Sequence, residues 1–229
     1  DGQPKLLPLT SKIENLKGSL IIDSSNNKSS RFLYPQYPSF ESLTESYVYY
    51  DNPKVEGGVY DRANFYFKLD PFRFDSLDTF NPRAVEFEGT MFSGDMLPEF
   101  RGTLHIQDDL SLGMETETPE FGYPIYGGRG RFSGDLQISN KGVKASGTLT
   151  YLSSTSTVEN AMFFPDSIRA SIGEFNLRKA SYGGVTVPAV LTNNVAILWQ
   201  PYNDEMKIRK NDGEFDFYKN RAKFNGAII

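Results

Sequence analysis

One histidine, no cysteine and many aromatic rings set the chemistry open to this chain of 229 residues. Without cysteine there are no disulfides, thiolate metal ligands or sulfur nucleophiles. Imidazole chemistry must run through His105 alone. It lies in Phe100-Arg101-Gly102-Thr103-Leu104-His105-Ile106, where alternation turns Leu104 inward and His105 outward, beside Thr103 and Gln107. Asp108 and Asp109 follow in what reads as the next turn. A general base needs a carboxylate partner and a cleft, so His105 reads as a surface histidine. Carboxylates are plentiful at Asp61, Asp70, Asp75, Glu115, Glu117 and Glu120. Glycoside hydrolysis needs two of them roughly 5–9.5 Å apart across a cleft, and no pair stands out.

Asp23-x-Ser25-x-Asn27 opens like a calcium loop. Its sixth position is Lys28 instead of glycine, and its twelfth is Tyr34 instead of glutamate. It reads better as a polar turn, although Asp23, Asn26 and Asp51 leave a different calcium geometry open. Gly57-Gly58, Gly127-Gly128 and Gly183-Gly184 have no helix after them, so they read as turns or bulges and not as phosphate loops. The aromatic residues offer more. Rings stack on the apolar faces of sugars while amides and acids hold the hydroxyls. Trp199-Gln200-Pro201-Tyr202-Asn203-Asp204 joins two rings to amide and acid groups at a strand end. Tyr47 and Tyr49 share a face of one strand, next to Tyr50. Trp199, Tyr202, Asn203, Asp204, Tyr47 and Tyr49 are therefore the candidate ligand-binding residues, with Trp199 and Tyr202 expected at the surface. Core packing accounts for most of the remaining rings.

The elements that must position these groups are strands. There are 18 Phe, 13 Tyr and one Trp, with 20 Gly and 13 Pro spread along the chain. That mixture favours strands and turns. Ala63 to Leu69 alternates, with Phe65, Phe67 and Leu69 on one side and Asn64, Tyr66 and Lys68 on the other. Strands are expected at 18–23, 46–50, 63–69, 84–92, 102–107, 110–114, 129–139 and 143–152. They return at 167–177, 185–191, 195–199, 205–209, 214–218 and 221–229, with 115–120 a loop. Ser139-Asn140-Lys141-Gly142 is a hairpin turn, because Asn and Gly accept positive φ. Roughly a dozen strands at spacings of about 8–12 residues predict an all-β fold. We expect one extended domain over 1–229, an antiparallel sheet or sandwich built from hairpins.

A five-residue unit recurs: apolar, any, Gly, any, apolar. It occurs as Leu16-Lys17-Gly18-Ser19-Leu20, Phe87-Glu88-Gly89-Thr90-Met91, Phe92-Ser93-Gly94-Asp95-Met96 and Phe100-Arg101-Gly102-Thr103-Leu104. Phe132-Ser133-Gly134-Asp135-Leu136, Ala145-Ser146-Gly147-Thr148-Leu149 and Phe224-Asn225-Gly226-Ala227-Ile228 complete it. Positions one, three and five share a strand face. The unit thus reads as a device for stacking large side chains over glycines in a curved sheet.

The run from Gly128 through Gly142 to Tyr151 resembles repeat segments of large uncharacterised cell-envelope proteins of Bacteroidota. Phe163-Phe164-Pro165-Asp166-Ser167 and Asn225-Gly226-Ala227 are similar in the same way. The resemblance implies an exported module flanked by neighbouring repeats of the same chain or by other envelope proteins. A second likeness, to the groove-forming sheets of AsmA/TamB-type lipid-transfer proteins, rests on hairpins with glycine beside apolar residues. Polar breaks on the inward face here disfavour a continuous greasy groove.

The expected function is a non-enzymatic structural or adhesive module of a larger exported protein of the cell envelope or surface. A carbohydrate-binding module that uses exposed aromatics is the alternative, and a lipid-carrying β-groove the third reading. The start at Asp1 and the stop on Ala227-Ile228-Ile229, in a strand-like run, fit a piece of a longer chain. No catalytic residue set, metal or cofactor is expected. A net charge of −5 and a pI near 5.1 argue against nucleic acid as a partner. No apolar run reaches the roughly 20 residues of a membrane helix.

Overall fold

The computed structural model describes residues 9–21, 39–51, 60–75, 77, 81–182, 184–187, 189–211, 213–218 and 221–225. The calcium-like loop at 22–30, Gly57-Gly58 and the end of the last five-residue unit lie outside them. In chain order the first strands are β1 Ile13–Glu14, β2 Gly18–Ile21, β3 Ser39–Ser42, β4 Ser46–Tyr49, β5 Tyr66–Leu69, β6 Arg73–Phe74 and β7 Phe87–Phe92. Then come β8 Phe100–Ile106, β9 Leu112–Glu117, β10 Tyr123–Ile125, β11 Gly130–Ser139, β12 Gly142–Tyr151, β13 Ser154–Phe164 and β14 Ser167–Leu177. The last are β15 Ala180–Tyr182, β16 Val185–Val187, β17 Val190–Gln200, β18 Glu205–Lys210, β19 Gly213–Tyr218 and β20 Arg221–Asn225.

The fold is all-β. Among the described residues, one 15-stranded antiparallel sheet runs β1-β4-β5-β7-β8-β9-β11-β12-β13-β14-β17-β18-β19-β20, with β10 also on β11. The order nearly follows the sequence, so most neighbours are hairpin partners. The Ser139–Gly142 hairpin turn is in place, with Ser139 opposite Gly142.

Such a sheet buries one face by curling onto itself. β12 and β19 are five steps apart, about 24 Å in a flat sheet. The rings of Tyr151 on β12 and Phe217 on β19 nevertheless sit 5.7 Å apart. Trp199 of β17 lies 5.4 Å from both Tyr151 and Tyr126. Buried tyrosines also bind the shorter strands and turns to the longer strands. The Tyr50 hydroxyl donates to the Leu112 carbonyl at 3.0 Å, and that of Tyr126 to the carbonyls of Phe164 and Ser167. The Tyr60 hydroxyl donates to the Phe163 carbonyl and accepts from the Val143 N–H. The buried apolar side chains form one cluster from Val48 to Phe217.

Four of the seven five-residue units turn out to be cross-strand partners. Phe87-x-Gly89-x-Met91 on β7 pairs with Phe100-x-Gly102-x-Leu104 on β8, first position to fifth and glycine to glycine. Phe132-x-Gly134-x-Leu136 on β11 pairs with Ala145-x-Gly147-x-Leu149 on β12 in the same register. The same interval, thirteen residues, separates the glycines in both hairpins. The stacking role holds at Gly18, under the Phe40 ring, and at Gly102, beside the end of the Met114 side chain, while Gly89 meets both the Lys68 carbonyl and the Phe67 ring. At Gly134 and Gly147 the neighbour is backbone. Their φ values are 144° and 156°, and a Cβ on either would lie under 3 Å from the Cα of the other.

Several sequence expectations are corrected. Ser154–Phe164 is a full strand that alternation did not reveal, because its inward positions begin with Ser154 and Ser156, both fully buried. Small polar side chains fit there because Met206 packs against Ser156, with Oγ 3.8 Å from Sδ. The two strands expected at 185–191 and 195–199 are mainly one long strand, β17, preceded by the short β16. The loop expected at 115–120 is strand as far as Glu117, paired to β11. Phe92-Ser93-Gly94-Asp95-Met96 leaves its strand after Phe92 and turns. Gly94 has a φ of 60°, and Ser93 Oγ donates to the Leu97 carbonyl and accepts from its N–H.

Replacing Gly147 by alanine is expected to lower unfolding stability in urea by about 1–3 kcal/mol, through overpacking and backbone strain. Thr148→Ala should stay within about 0.5 kcal/mol of the parent. Equal effects at the two positions would contradict the close approach.

Candidate functional site

The six sequence candidates separate into three environments. Trp199 is 0% exposed. The expectation of a surface tryptophan is therefore corrected: the ring faces inward on β17, and its far edge covers Gly130. The inward curl that closes the core claims it. Its indole N–H has no hydrogen-bond partner among the described residues. Tyr202, in the turn Pro201–Asn203, is 46% exposed. The guanidinium of Arg129 sits over its ring at 5.2 Å and 3.8 Å from the Asp204 carboxylate. Asp204 takes a left-handed φ of 51° to close that turn, and Asn203 is exposed. Burial raises the pKa of the Tyr202 hydroxyl, with Asp95 adding to the rise. This corner holds one accessible ring and one ion pair.

Tyr47 and Tyr49 belong to a larger surface. The inward side chains of β4, β5 and β7 include Val48, Phe67, Leu69, Phe87 and Met91. Their outward neighbours bring Tyr47, Tyr49, Tyr66 and Phe92 together, each half-buried. Register explains it, since Tyr49 lies opposite Tyr66 and Tyr66 opposite Phe92. The Tyr66 and Phe92 rings stack at 4.9 Å and 17°, and Tyr47 and Tyr49 at 6.0 Å and 23°. Tyr66 also meets Tyr47 and Tyr49 at 5.9 Å. Arg62 caps the strip, 3.9 Å from the centre of the Tyr49 ring, and pairs with Glu14 and Asp51. At the other side Lys68 pairs with Glu45, which also accepts from the Tyr47 hydroxyl at 2.9 Å. Those hydrogen bonds, from Lys68 first and Tyr47 second, hold the Glu45 carboxyl below its ordinary pKa. The strip is four rings wide with its flanking charges paired.

Sequence reasoning missed Tyr66 and Phe92 as members of this strip. Alternation did place Tyr66 on the outward side. What it lacked was the register between strands far apart in sequence.

A second surface lies on the outward face of β9, β11, β12 and β13. Glu115, Thr116, Asp135, Leu136, Gln137, Lys144, Ala145, Ser146 and Asn160 line an open concavity of about 470 Å³. Backbone irregularity builds it. The Gly134–Gly147 pair lies alongside, and the β12–β13 register shifts between Ala145 and Gly147. Across that shift Asn160 takes a left-handed φ of 51°, and its N–H donates to Ser146 Oγ. Such bulges bend a sheet and re-aim side chains. A chain of polar contacts leads in from His105: its ring nitrogen is 2.8 Å from the Gln107 amide nitrogen, and the Gln137 amide donates to Glu115 at 3.1 Å. His105 is on the outward face of β8 as alternation required, next to buried Leu104.

Among the described residues, no group of three or more His, Cys, Asp or Glu side chains is placed to hold a metal ion. One buried carboxylate stands apart from these surfaces. Asp216 of β19 is 4% exposed, and its Oδ1 has no partner among the described residues. It is opposite Lys207 on β18 and Lys223 on β20. Burial, reinforced by Glu214, raises its pKa above the ordinary value. Comparison with protein-family models, with curated proteins and with solved structures returned no match.

Two expectations follow. Trp199 is the single tryptophan, so its fluorescence reports this position alone. Its emission should be that of a buried indole and resist quenching by iodide until the chain unfolds; ready quenching in the native state would contradict the packing. Because the folded-state pKa of Asp216 is raised, ionisation there opposes folding above that pKa and costs nothing below the unfolded-state value. Asp216→Asn should therefore raise the thermal midpoint at neutral pH, and the gain should vanish in acid. A midpoint that falls at neutral pH would show that the carboxylate is needed.

Proposed function

We propose that this chain is a non-enzymatic adhesive module of a larger exported protein of the cell envelope or surface, and that its ligand is a polysaccharide. The observation that carries the reading is the strip of Tyr47, Tyr49, Tyr66 and Phe92 on the outward face of β4, β5 and β7. The accessible parts of these half-buried rings lie in adjacent rows and offer apolar area to successive sugar units. The flanking Arg62, Glu45 and Lys68 supply donors and acceptors for hydroxyls. An open strip without an enclosed cleft suits adhesion better than catalysis, which needs groups converging on one reacting atom.

The near-sequential hairpin order suits a module that continues into neighbouring repeats of the same chain or meets other envelope proteins. The inward face around Trp199 is filled by Tyr126, Tyr151 and Phe217, which counts against a lipid-carrying groove there. No helix among the described residues is long and apolar enough to cross a membrane. The excess of acidic residues disfavours nucleic acid.

Affinity electrophoresis against a panel of polysaccharides should reveal retardation by at least one. Tyr49→Ala and Tyr66→Ala should each weaken it by about three- to tenfold, while Tyr202→Ala leaves it unchanged. Retardation that survives the Tyr49/Tyr66 double substitution would overturn the strip as the site. Immunoblots of fractionated source cells should place the protein in the envelope, in a band well above 26 kDa. A cytosolic band would overturn the envelope assignment.

A further inference from the structure

We infer that the concavity over β9, β11, β12 and β13 is a second binding site, and that it takes a sugar unit bearing a free, protonated amine. The site extends the polysaccharide reading above and rests on it. Three observations lead there.

The first is construction. The depression of about 470 Å³ occurs where the backbone departs from regular strand three times: at Gly134 and Gly147, with their positive φ, and at left-handed Asn160. Glycine in a strand interior and a left-handed asparagine both cost stability. Here they accompany a hollow whose lining includes Asp135, Ser146 and Asn160. Asp135 is directly opposite Ser146, and Gln137 is flanked by Glu115 on one side and Lys144 on the other.

The second is the state of the charges. Around the aromatic strip, Arg62, Lys68 and Arg101 are each held by a carboxylate. In the hollow, Asp135 and Lys144 are diagonal neighbours across β11 and β12, a separation that long side chains can bridge. Neither forms an ion pair within 4.0 Å among the described residues. The Glu115 carboxylate spends one hydrogen bond on Gln137 and keeps its other acceptor positions.

The third is charge complementarity. The lining contributes two carboxylates, Glu115 and Asp135, against one ammonium, Lys144. Glu117, opposite Asp135, adds to the negative side. The hollow therefore favours a cation. Its remaining polar side chains are two amides and two hydroxyls, beside Leu136 and Ala145 and with no aromatic face, so the rest of the ligand should be rich in hydrogen-bonding groups. An amino sugar meets both demands. Its ammonium sits between Asp135 and Glu115, and its hydroxyls meet Gln137, Ser146, Asn160 and Lys144.

The test uses the full chain and three β-1,4-linked oligomers of equal length, titrated by calorimetry. They differ at one position: glucosamine (amine), N-acetylglucosamine (amide) and glucose (hydroxyl). The amine series should bind about tenfold tighter than the other two, the worth of one charge-assisted hydrogen bond. The preference should disappear in an Asp135→Asn, Glu115→Gln double variant, whose exposed substitutions leave the thermal midpoint in place. It should persist in Tyr66→Ala, where all three series weaken together. Binding of the neutral oligomers without an amine preference overturns the hollow as a site and leaves the strip standing. Failure of all three series to bind overturns the hollow as an amino-sugar site, while the strip stands or falls by the polysaccharide panel. A preference that survives the double variant places the amine elsewhere, and a trilysine peptide that binds as tightly as the amine oligomer overturns the sugar.

Discussion

The whole structure depends on curling a single long antiparallel sheet until its inward face meets itself. A separate layer covers only part of that face: beside the small sheet β2-β3-β6, Phe72 and Phe74 pack on Phe87, and the face around Trp199 is covered by the curl itself. Tyr151, Trp199 and Phe217 come from strands that a flat sheet would hold far apart, yet Tyr151 meets Trp199 tilted and Phe217 edge to face. A fully buried aromatic contributes on the order of 3–5 kcal/mol against its alanine variant. That gain exists only if the backbone bends enough to bring the rings together. The bending is concentrated where side chains are absent. Paired glycines on β7 and β8, and again on β11 and β12, stand opposite each other at the centres of their hairpins. At Gly134 and Gly147 the bend brings backbone against backbone.

This explains why the most similar pieces of sequence are not equivalent in structure. FSGDM at 92–96 and FSGDL at 132–136 differ by one residue. The second forms strand and pairs through Gly134. The first is a turn in which Ser93 closes a local ring of hydrogen bonds on Leu97. The structural counterpart of FSGDL is FEGTM at 87–91, because what defines the unit is a partner thirteen residues on. Gly89 and Gly134 have that partner; Gly94 does not.

The same distinction sets what the sequence could show of the rest. Strands with large apolar residues at alternate positions, such as β5 and β12, were legible because period two is local. β13 was not, because its inward serines carry no hydrophobic signal until Met206 from another strand is known to pack on them. The hairpin turn at Ser139–Gly142 was legible from its own four residues. The fate of Trp199 was not: its position at a strand end suggested exposure, and only the curl of β17 over β11 and β12 buries it. For the candidate site, Tyr47 and Tyr49 were legible as a same-face pair. Tyr66 and Phe92 joined them through the register of strands 17 and 43 residues away from Tyr49.

Curvature also divides the outward face by chemistry. Over β4, β5 and β7 the strands are regular, the outward rings lie in adjacent rows, and their charges close into ion pairs at the margins. Over β11, β12 and β13 the glycine pair and the Asn160 bulge interrupt the rows, and a hollow replaces the ridge. Rings would span such an interruption poorly, and the residues there are short or flexible polar ones. Asp135 and Ser146, which flank the two glycines in sequence, both line that hollow. Gly134 is thus the neighbour of Asp135, which forms no ion pair among the described residues, and Gly147 the neighbour of Ser146, which holds the Asn160 N–H. A substitution that straightened the sheet at Gly147 would act on both faces: the core would lose its fit, and the hollow would lose its depth.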